Sequence, residues 1–252
     1  MCLILFAYKV HEKYPLIVAA NRDEFFKRPT AQAHFWEDEP NILAGRDLEK
    51  LGTWMGVTKQ GRFAAITNYR SPEEMNATGK RSRGELVTNA LTFEGEITQY
   101  MQGLEKTKEQ YPGYNLLVGN HEQLFYFSNK NGSVKKLEPG IYGLSNHLLN
   151  TPWPKVTTGK YELKETIVSG EEDLIKRLFE LLQKADPFPD ELLPNTGVPL
   201  ELERMLSPLY ISSNDYGTRS STVLLLGKDE IQYIEKVMQP EELEALEFKF
   251  NY

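Results

Sequence analysis

The sequence predicts an α+β fold in which antiparallel sheets are covered by helices. Two observations carry this. Apolar runs come in pairs separated by short polar turns, which is how hairpins read. The helical patterns fall in two blocks between groups of strands, giving the order strands, helices, strands, helices, strands. A doubly wound parallel sheet would instead alternate strand and helix one by one. The apolar fraction of 40% and the aromatic fraction of 11% supply a sizeable core for 252 residues. With no internal repeat, low-complexity stretch or linker in view, the chain reads as one domain over 1–252.

Residues 2–10 and 15–20 form the first predicted hairpin, turning at His11-Glu12-Lys13. The second strand runs into the polar cluster Asn21-Arg22-Asp23-Glu24, and a loop-like region extends to about residue 49. Residues 52–58 and 62–69 make another hairpin around Lys59-Gln60-Gly61. After a polar loop, Ser82 and Glu85 fit a capping box, so a helix is expected from there through Leu91. A second helix is expected over 94–110. Short apolar runs at 114–119, 124–128 and 133–137 read as a meander, followed by a strand at 141–145. Residues 153–168 and 171–185 read as helices, the latter with Leu174, Ile175, Leu178, Phe179, Leu181 and Leu182 in an apolar stripe. A loop rich in proline and acid covers 186–199, and a short helix 200–206. The hairpin 220–226 with 230–237 closes the pattern.

Composition excludes several function classes. The net charge of −7 argues against nonspecific binding to nucleic acid or to an anionic membrane surface. A single cysteine forms no internal disulfide. The first ten residues are apolar but lack a basic leader, and Lys9, His11, Glu12 and Lys13 follow at once, which fits neither a signal peptide nor a membrane span. The expectation is a soluble, cytoplasmic protein with no membrane insertion. No phosphate loop is present, and His11, His34, His121 and His147 are scattered without metal-ligand spacing. No Gly-x-Ser-x-Gly elbow marks a serine nucleophile. No cofactor is expected.

Cys2 is the feature around which the rest is organised. It follows Met1 directly, and a residue that small permits removal of the methionine. The mature chain would then carry a thiol and a free α-amine on one residue. The amine has an ordinary pKa near that of a useful general base, and the thiol is a good nucleophile once deprotonated. This is the pairing of an N-terminal nucleophile. The plainer reading is a small core thiol at the head of the run Cys2-Leu3-Ile4-Leu5-Phe6-Ala7.

Polar residues at strand ends supply candidate helpers. A first hairpin places the end of its second strand beside Cys2, so Arg22 would lower the thiol pKa and Asp23 would orient the ammonium. Otherwise the cluster is a salt-bridged turn. Asn68 and Asn146 each follow an apolar strand and offer amide donors to an oxyanion, or serve as turn formers. Arg219 stands at the start of the last hairpin. Trp54, Tyr69 and Trp153 are candidates for a substrate-pocket wall, against the commoner role of core aromatics.

Taken together these stretches resemble the NRDE family, the transport and Golgi organisation proteins. The motif is Asn21-Arg22-Asp23-Glu24. With it go Met1-Cys2, Gly52-Thr53-Trp54, Ile66-Thr67-Asn68-Tyr69-Arg70, Ser82-Arg83-Gly84, Gly113-Tyr114-Asn115-Leu116-Leu117-Val118-Gly119, Gly143-Leu144-Ser145-Asn146, Thr151-Pro152-Trp153-Pro154-Lys155 and Thr218-Arg219-Ser220-Ser221-Thr222. That family is similar to N-terminal-nucleophile hydrolases of the choloylglycine hydrolase and penicillin V acylase kind. The resemblance implies a four-layer αββα sandwich, Cys2 as nucleophile and Arg22 as the second-strand arginine. Asn68, Asn146 and Arg219 follow by order and strand-end placement. Those hydrolases space their Arg and Asp as Arg-x-x-Asp, whereas here Asp23 follows Arg22 directly and Phe25 holds the later position. Adjacent strand residues point to opposite faces, so Arg22 and Asp23 do not both face the thiol on an unbent strand. Glu24 is the reserve acid.

Two functions follow as expectations. One is a cofactor-free amidohydrolase acting on a non-peptide C–N bond of a small acyl amide. The other is a non-catalytic carrier of haem or an acyl lipid on the same scaffold, in keeping with the family's association with secretory organisation, mitochondrial lipid metabolism and haem trafficking.

Overall fold

The computed structural model describes residues 2–75 and 79–252. Met1, whose removal the sequence raises, and residues 76–78 of the polar loop before Ser82 lie outside them. The first half of the chain runs β1 (Cys2–Tyr8), β2 (Leu16–Phe25), β3 (Thr30–Phe35), β4 (Ile42–Asp47), β5 (Met55–Thr58), β6 (Phe63–Asn68), the short α1 (Pro72–Met75), α2 (Gly84–Thr92) and α3 (Ile97–Thr107). The second half continues β7 (Tyr114–Gly119), β8 (Leu124–Ser128), β9 (Lys135–Lys136), β10 (Gly140–Leu144), α4 (Pro154–Val168), α5 (Leu174–Leu182), α6 (Leu200–Met205), β11 (Tyr216–Leu226), β12 (Glu230–Val237) and β13 (Leu246–Asn251).

These strands form two antiparallel sheets. The first has the order β10-β1-β2-β11-β12-β13 and the second β3-β4-β5-β6-β7-β8-β9. Alternation along β1 explains the layering. Ile4, Phe6 and Tyr8 point between the sheets, where they join Leu43, Met55, Val57, Leu117 and Tyr126. Leu3, Leu5 and Ala7 point the other way, onto Trp153, Leu163, Leu178 and Leu182 of the α4–α5 layer. A strand covered on both faces needs apolar residues at every position, which is why residues 3–7 read as an unbroken run. On the far side of the second sheet, Ala44, Ile66 and Leu116 meet Leu86, Val87, Met101 and Leu104 of α2 and α3. The result is the four-layer αββα sandwich.

The structure corrects four details. Strand β2 does not stop at residue 20 but carries the Asn21–Glu24 cluster inside the sheet, because β11 pairs with it from Leu16 through Phe25. The region 28–49 is not a loop: it holds β3 and β4. Strand β3 is an edge strand, mostly half-buried, so its sequence carries no strong apolar signal. The Ser82 capping box does not form. Arg83 is the N-cap of α2 without a side-chain cap bond, and Glu85 engages Arg81 and Tyr111 instead. Finally, β13 extends the last hairpin into a third strand.

Candidate active site

Cys2 opens β1 and stands directly opposite Arg22 of β2, which in turn stands opposite Ser220 of β11. Directly opposed residues of an antiparallel pair share a face. Cys2 and Arg22 therefore both project between the sheets, on the side that carries Ile4 and Ala20. They reach a cavity of about 380 Å³ whose wall also holds Asp23, Trp54, Ile66 and Asn68. Arg22 is only 6% exposed. Its guanidinium stacks on Trp54 at 4.1 Å and donates to Thr30 Oγ1 at 3.1 Å.

The polar cluster on β2 divides its labour by alternation. Asn21 faces the helices: its Nδ2 donates to the carbonyls of Leu182 and Leu209, both at 2.9 Å, and its Oδ1 accepts from Ser221 Oγ at 2.7 Å. Asp23 is buried, and its Oδ1 accepts from Thr218 Oγ1 at 2.8 Å. Glu24 lies nearer the surface, accepts from the Phe25 N–H and sits 3.9 Å from Arg28. The two acids thus differ: Asp23 is the buried one beside Cys2, and Glu24 belongs to the rim.

The remaining predicted residues separate into two groups. Asn68 and Trp54 are in the cavity wall. Asn146, fully buried, sits behind Asn68 and donates from Nδ2 to the Asn68 carbonyl at 3.1 Å, while its own carbonyl accepts from the Arg70 N–H. It clamps the end of the first sheet to the end of the second. Arg219 is the extra residue at a bulge in β11, and its guanidinium donates to the carbonyls of Phe25, Phe26 and Arg28. It fixes the chain leaving β2. Together with Arg22, Trp54 and buried Glu235 it also lines a second cavity of about 240 Å³. Tyr69 pairs with His147 Nε2 at 2.8 Å, and Trp153 lies under the Arg70 guanidinium at 4.9 Å. Neither ring is in the wall of the Cys2 cavity.

Several buried charges around the site were not singled out from sequence. Lys155 is 3% exposed and donates to the Leu206 carbonyl at 2.7 Å. Arg70 and Glu203 form a buried ion pair at 2.9 Å. Glu235 accepts the Ala33 N–H at 2.7 Å and so ties β12 to the irregular stretch of β3. Lys155 does have a local signal, since it follows two prolines at a helix start. The other burials depend on residues far apart in the chain.

Burial dominates the electrostatics. It pushes the Cys2 thiol up, with the Asp23 carboxylate adding to the rise and the Arg22 guanidinium opposing it. Burial likewise pushes the Asp23 carboxyl up, against the positive charges of Lys155 and Arg70. The Lys155 ammonium is driven down to about 8 by burial and by Arg70. The Glu235 carboxyl is pushed up to about 7 by burial. A thiol held in its neutral form needs a proton acceptor before it can attack. Among the described residues no group of three or more His, Cys, Asp or Glu is placed to hold a metal ion, and no helix is long and apolar enough to cross a membrane.

A family model described as Transport and Golgi organisation 2 matches residues 1–240. A transport and Golgi organization protein 2 homolog from Bos taurus is 35% identical, over 94% of this chain and 93% of the relative. Among solved structures, the Caenorhabditis elegans N-acylethanolamine-hydrolyzing acid amidase ortholog superposes with a TM-score of 0.53 at 11% identity, covering 89% of this chain and 92% of that one. A mutant of the conjugated bile acid hydrolase from Clostridium perfringens gives 0.54 at 9% identity, covering 100% and 96%. At such identities the likeness is one of fold. The chain belongs to the Transport and Golgi organisation 2 family, and its fold is that of the N-terminal-nucleophile hydrolases.

Proposed function

We propose that this family member is a cofactor-free amidohydrolase that cleaves the C–N bond of a small acyl amide, with Cys2 as an N-terminal nucleophile. The observation that carries the reading is the placement of the chain's one cysteine, in register with Arg22, in the wall of a cavity between two sheets of a hydrolase-type sandwich. The two solved hydrolases named above lend the reaction class by fold analogy.

In this reading Met1 is removed and the α-amine of Cys2 takes the thiol proton. The sulfur attacks the amide carbon, and the carbonyl oxygen becomes an oxyanion. Asn68 and backbone N–H groups stabilise that charge, while Asn146 positions Asn68. Asp23 holds the ammonium form of the α-amine, and Arg22 favours the thiolate. The ammonium then gives its proton to the leaving nitrogen as the C–N bond breaks, leaving a thioester on Cys2. Water cleaves the thioester, releasing the acid and restoring the thiol. The lone cysteine, which forms no internal disulfide, supports a reducing, cytoplasmic setting.

The test is turnover of a panel of acyl amides by the wild-type and Cys2→Ala proteins. Hydrolysis that vanishes in Cys2→Ala supports the reading. Tight binding of haem or an acyl lipid that survives Cys2→Ala, with no turnover of any amide, contradicts it and supports a carrier.

A further inference from the structure

The charge lining the Cys2 cavity runs opposite to that of the chain. The sequence has 29 basic and 36 acidic residues, yet the cavity wall holds six cations, Arg22, Arg28, Lys50, Lys80, Arg81 and Arg83, against Asp23, Glu24 and Asp47. The acids are already engaged on the protein side. Arg28 takes up both Glu24, at 3.9 Å, and Asp47, at 2.6 Å, while Asp23 accepts from Thr218. Arg22 is different: it is buried and lines the cavity, and among the described residues it forms no ion pair, only the bond to Thr30 and the stack on Trp54. A buried guanidinium carries several N–H donors in a fork that matches carboxylate or phosphate.

The opposite wall adds to the positive field. Residues 80–84 lead into the start of α2, where Ser82, Arg83 and Gly84 line the cavity. Two glycines bring that helix start over the site. A Cβ on Gly52 would lie 2.6 Å from the Gly84 backbone carbon, so only glycine permits this approach. The N-terminal end of α2 then presents its positive dipole to the cavity, beside the side-chain charges. Lys80 donates to the Glu109 carbonyl and Arg81 pairs with Glu85 at 2.5 Å. Arg81 is about half exposed, and a solvated pair of this kind is weak enough for the guanidinium to exchange Glu85 for a ligand anion.

We infer that the cavity takes an anionic substrate, an acyl amide whose amine portion carries a carboxylate or a phosphate, held between Arg22 and the basic wall at residues 80–83. The reaction assigned to this ligand rests on Cys2 being the nucleophile; the binding does not. Trp54, Ile66 and Pro112 offer the same ligand apolar surface in the cavity.

The experiment is calorimetric titration of the Cys2→Ala protein with N-hexanoylglycine, N-hexanoyl-phosphoethanolamine and the neutral N-hexanoylethanolamine. At low salt at least one charged ligand is expected to bind about tenfold or more tighter than the neutral one. Raising the salt to about 0.5 M should erode the preference, and Lys80→Glu with Arg81→Glu in the same protein should abolish it. The stronger of the two charged ligands tells carboxylate from phosphate. Equal or tighter binding of the neutral compound, no binding of any of the three, or a preference untouched by the double substitution overturns the inference. Turnover of the three by wild-type protein is read separately. If none is hydrolysed while the charge preference stands, the hydrolase reading falls and the anion site remains.

Discussion

Cys2 and Arg22 face each other across β1 and β2, and the Arg22 guanidinium opposes the effect of burial on the thiol. Removing that charge should therefore make the sulfur less reactive. Arg22→Met is expected to slow alkylation of Cys2 by iodoacetamide at about pH 7.5 by roughly three- to tenfold, since one unit of thiol pKa is about tenfold in thiolate. Arg22→Lys, which keeps the charge but not the fork, should restore part of the rate. Mass spectrometry of the alkylated chain reads both.

Glu235 should make the protein less stable as pH rises through neutrality. Its carboxyl is held at about 7 in the fold against an ordinary 4.5. Between those values the native state keeps a proton that the unfolded chain has released, so stability falls with rising pH. Glu235→Gln retains an acceptor for the Ala33 N–H and removes the ionisation. At pH 8 the variant should be more stable than the parent by about 1–3 kcal/mol, with the gain disappearing towards pH 4.5. Thermal melts at the two pH values check it.

Lys155 has the opposite sign. Its ammonium titrates at about 8 in the fold and at 10.5 otherwise. Between these values the unfolded chain holds a proton that the native state has lost, so this residue makes stability rise with pH. Relative to Lys155→Met, the wild type should gain about 1–2 kcal/mol between pH 8 and pH 9.5. Denaturant titrations of both proteins across that range measure the difference.

Asn21 belongs to the polar cluster from which the sequence draws Arg22 and Asp23 as candidate helpers, but its own contacts are structural. Asn21→Ala leaves the Leu182 and Leu209 carbonyls and the Ser221 hydroxyl without this partner inside the core. The expected loss is about 2–4 kcal/mol of unfolding free energy. The alkylation rate of Cys2 in the folded protein should stay at the parental value. A shifted urea midpoint with an unchanged slope would register the first effect.

Much of this arrangement is legible in the sequence because it is local. The first hairpin brings the Asn21–Glu24 cluster to Cys2, and the alternation rule says that Arg22 and Asp23 do not share a face; the register Cys2 opposite Arg22 then gives Arg22 the face of the thiol. The Asn21 latch is not legible, because its carbonyl partners lie 161 and 188 residues away. Nor is the basic wall at 80–83, which lines the same cavity as Cys2 where Gly52 and Gly84 approach closely. Strand β3 escapes because a half-buried edge strand needs no apolar run. Arg219 shows a further limit: its position at a strand start is readable, but its grip on the carbonyls of Phe25, Phe26 and Arg28 depends on a bulge.

Trapping the acyl-enzyme tests Cys2 most directly. Wild-type protein is mixed with an acyl amide that it hydrolyses, quenched in acid within the first turnover, and weighed intact. The expected species is the chain without Met1 plus one acyl group, with the label mapping to Cys2 in a peptide digest and absent from Cys2→Ala. Hydrolysis by a chain that retains Met1, or turnover that persists in Cys2→Ala, would contradict an N-terminal nucleophile at this position.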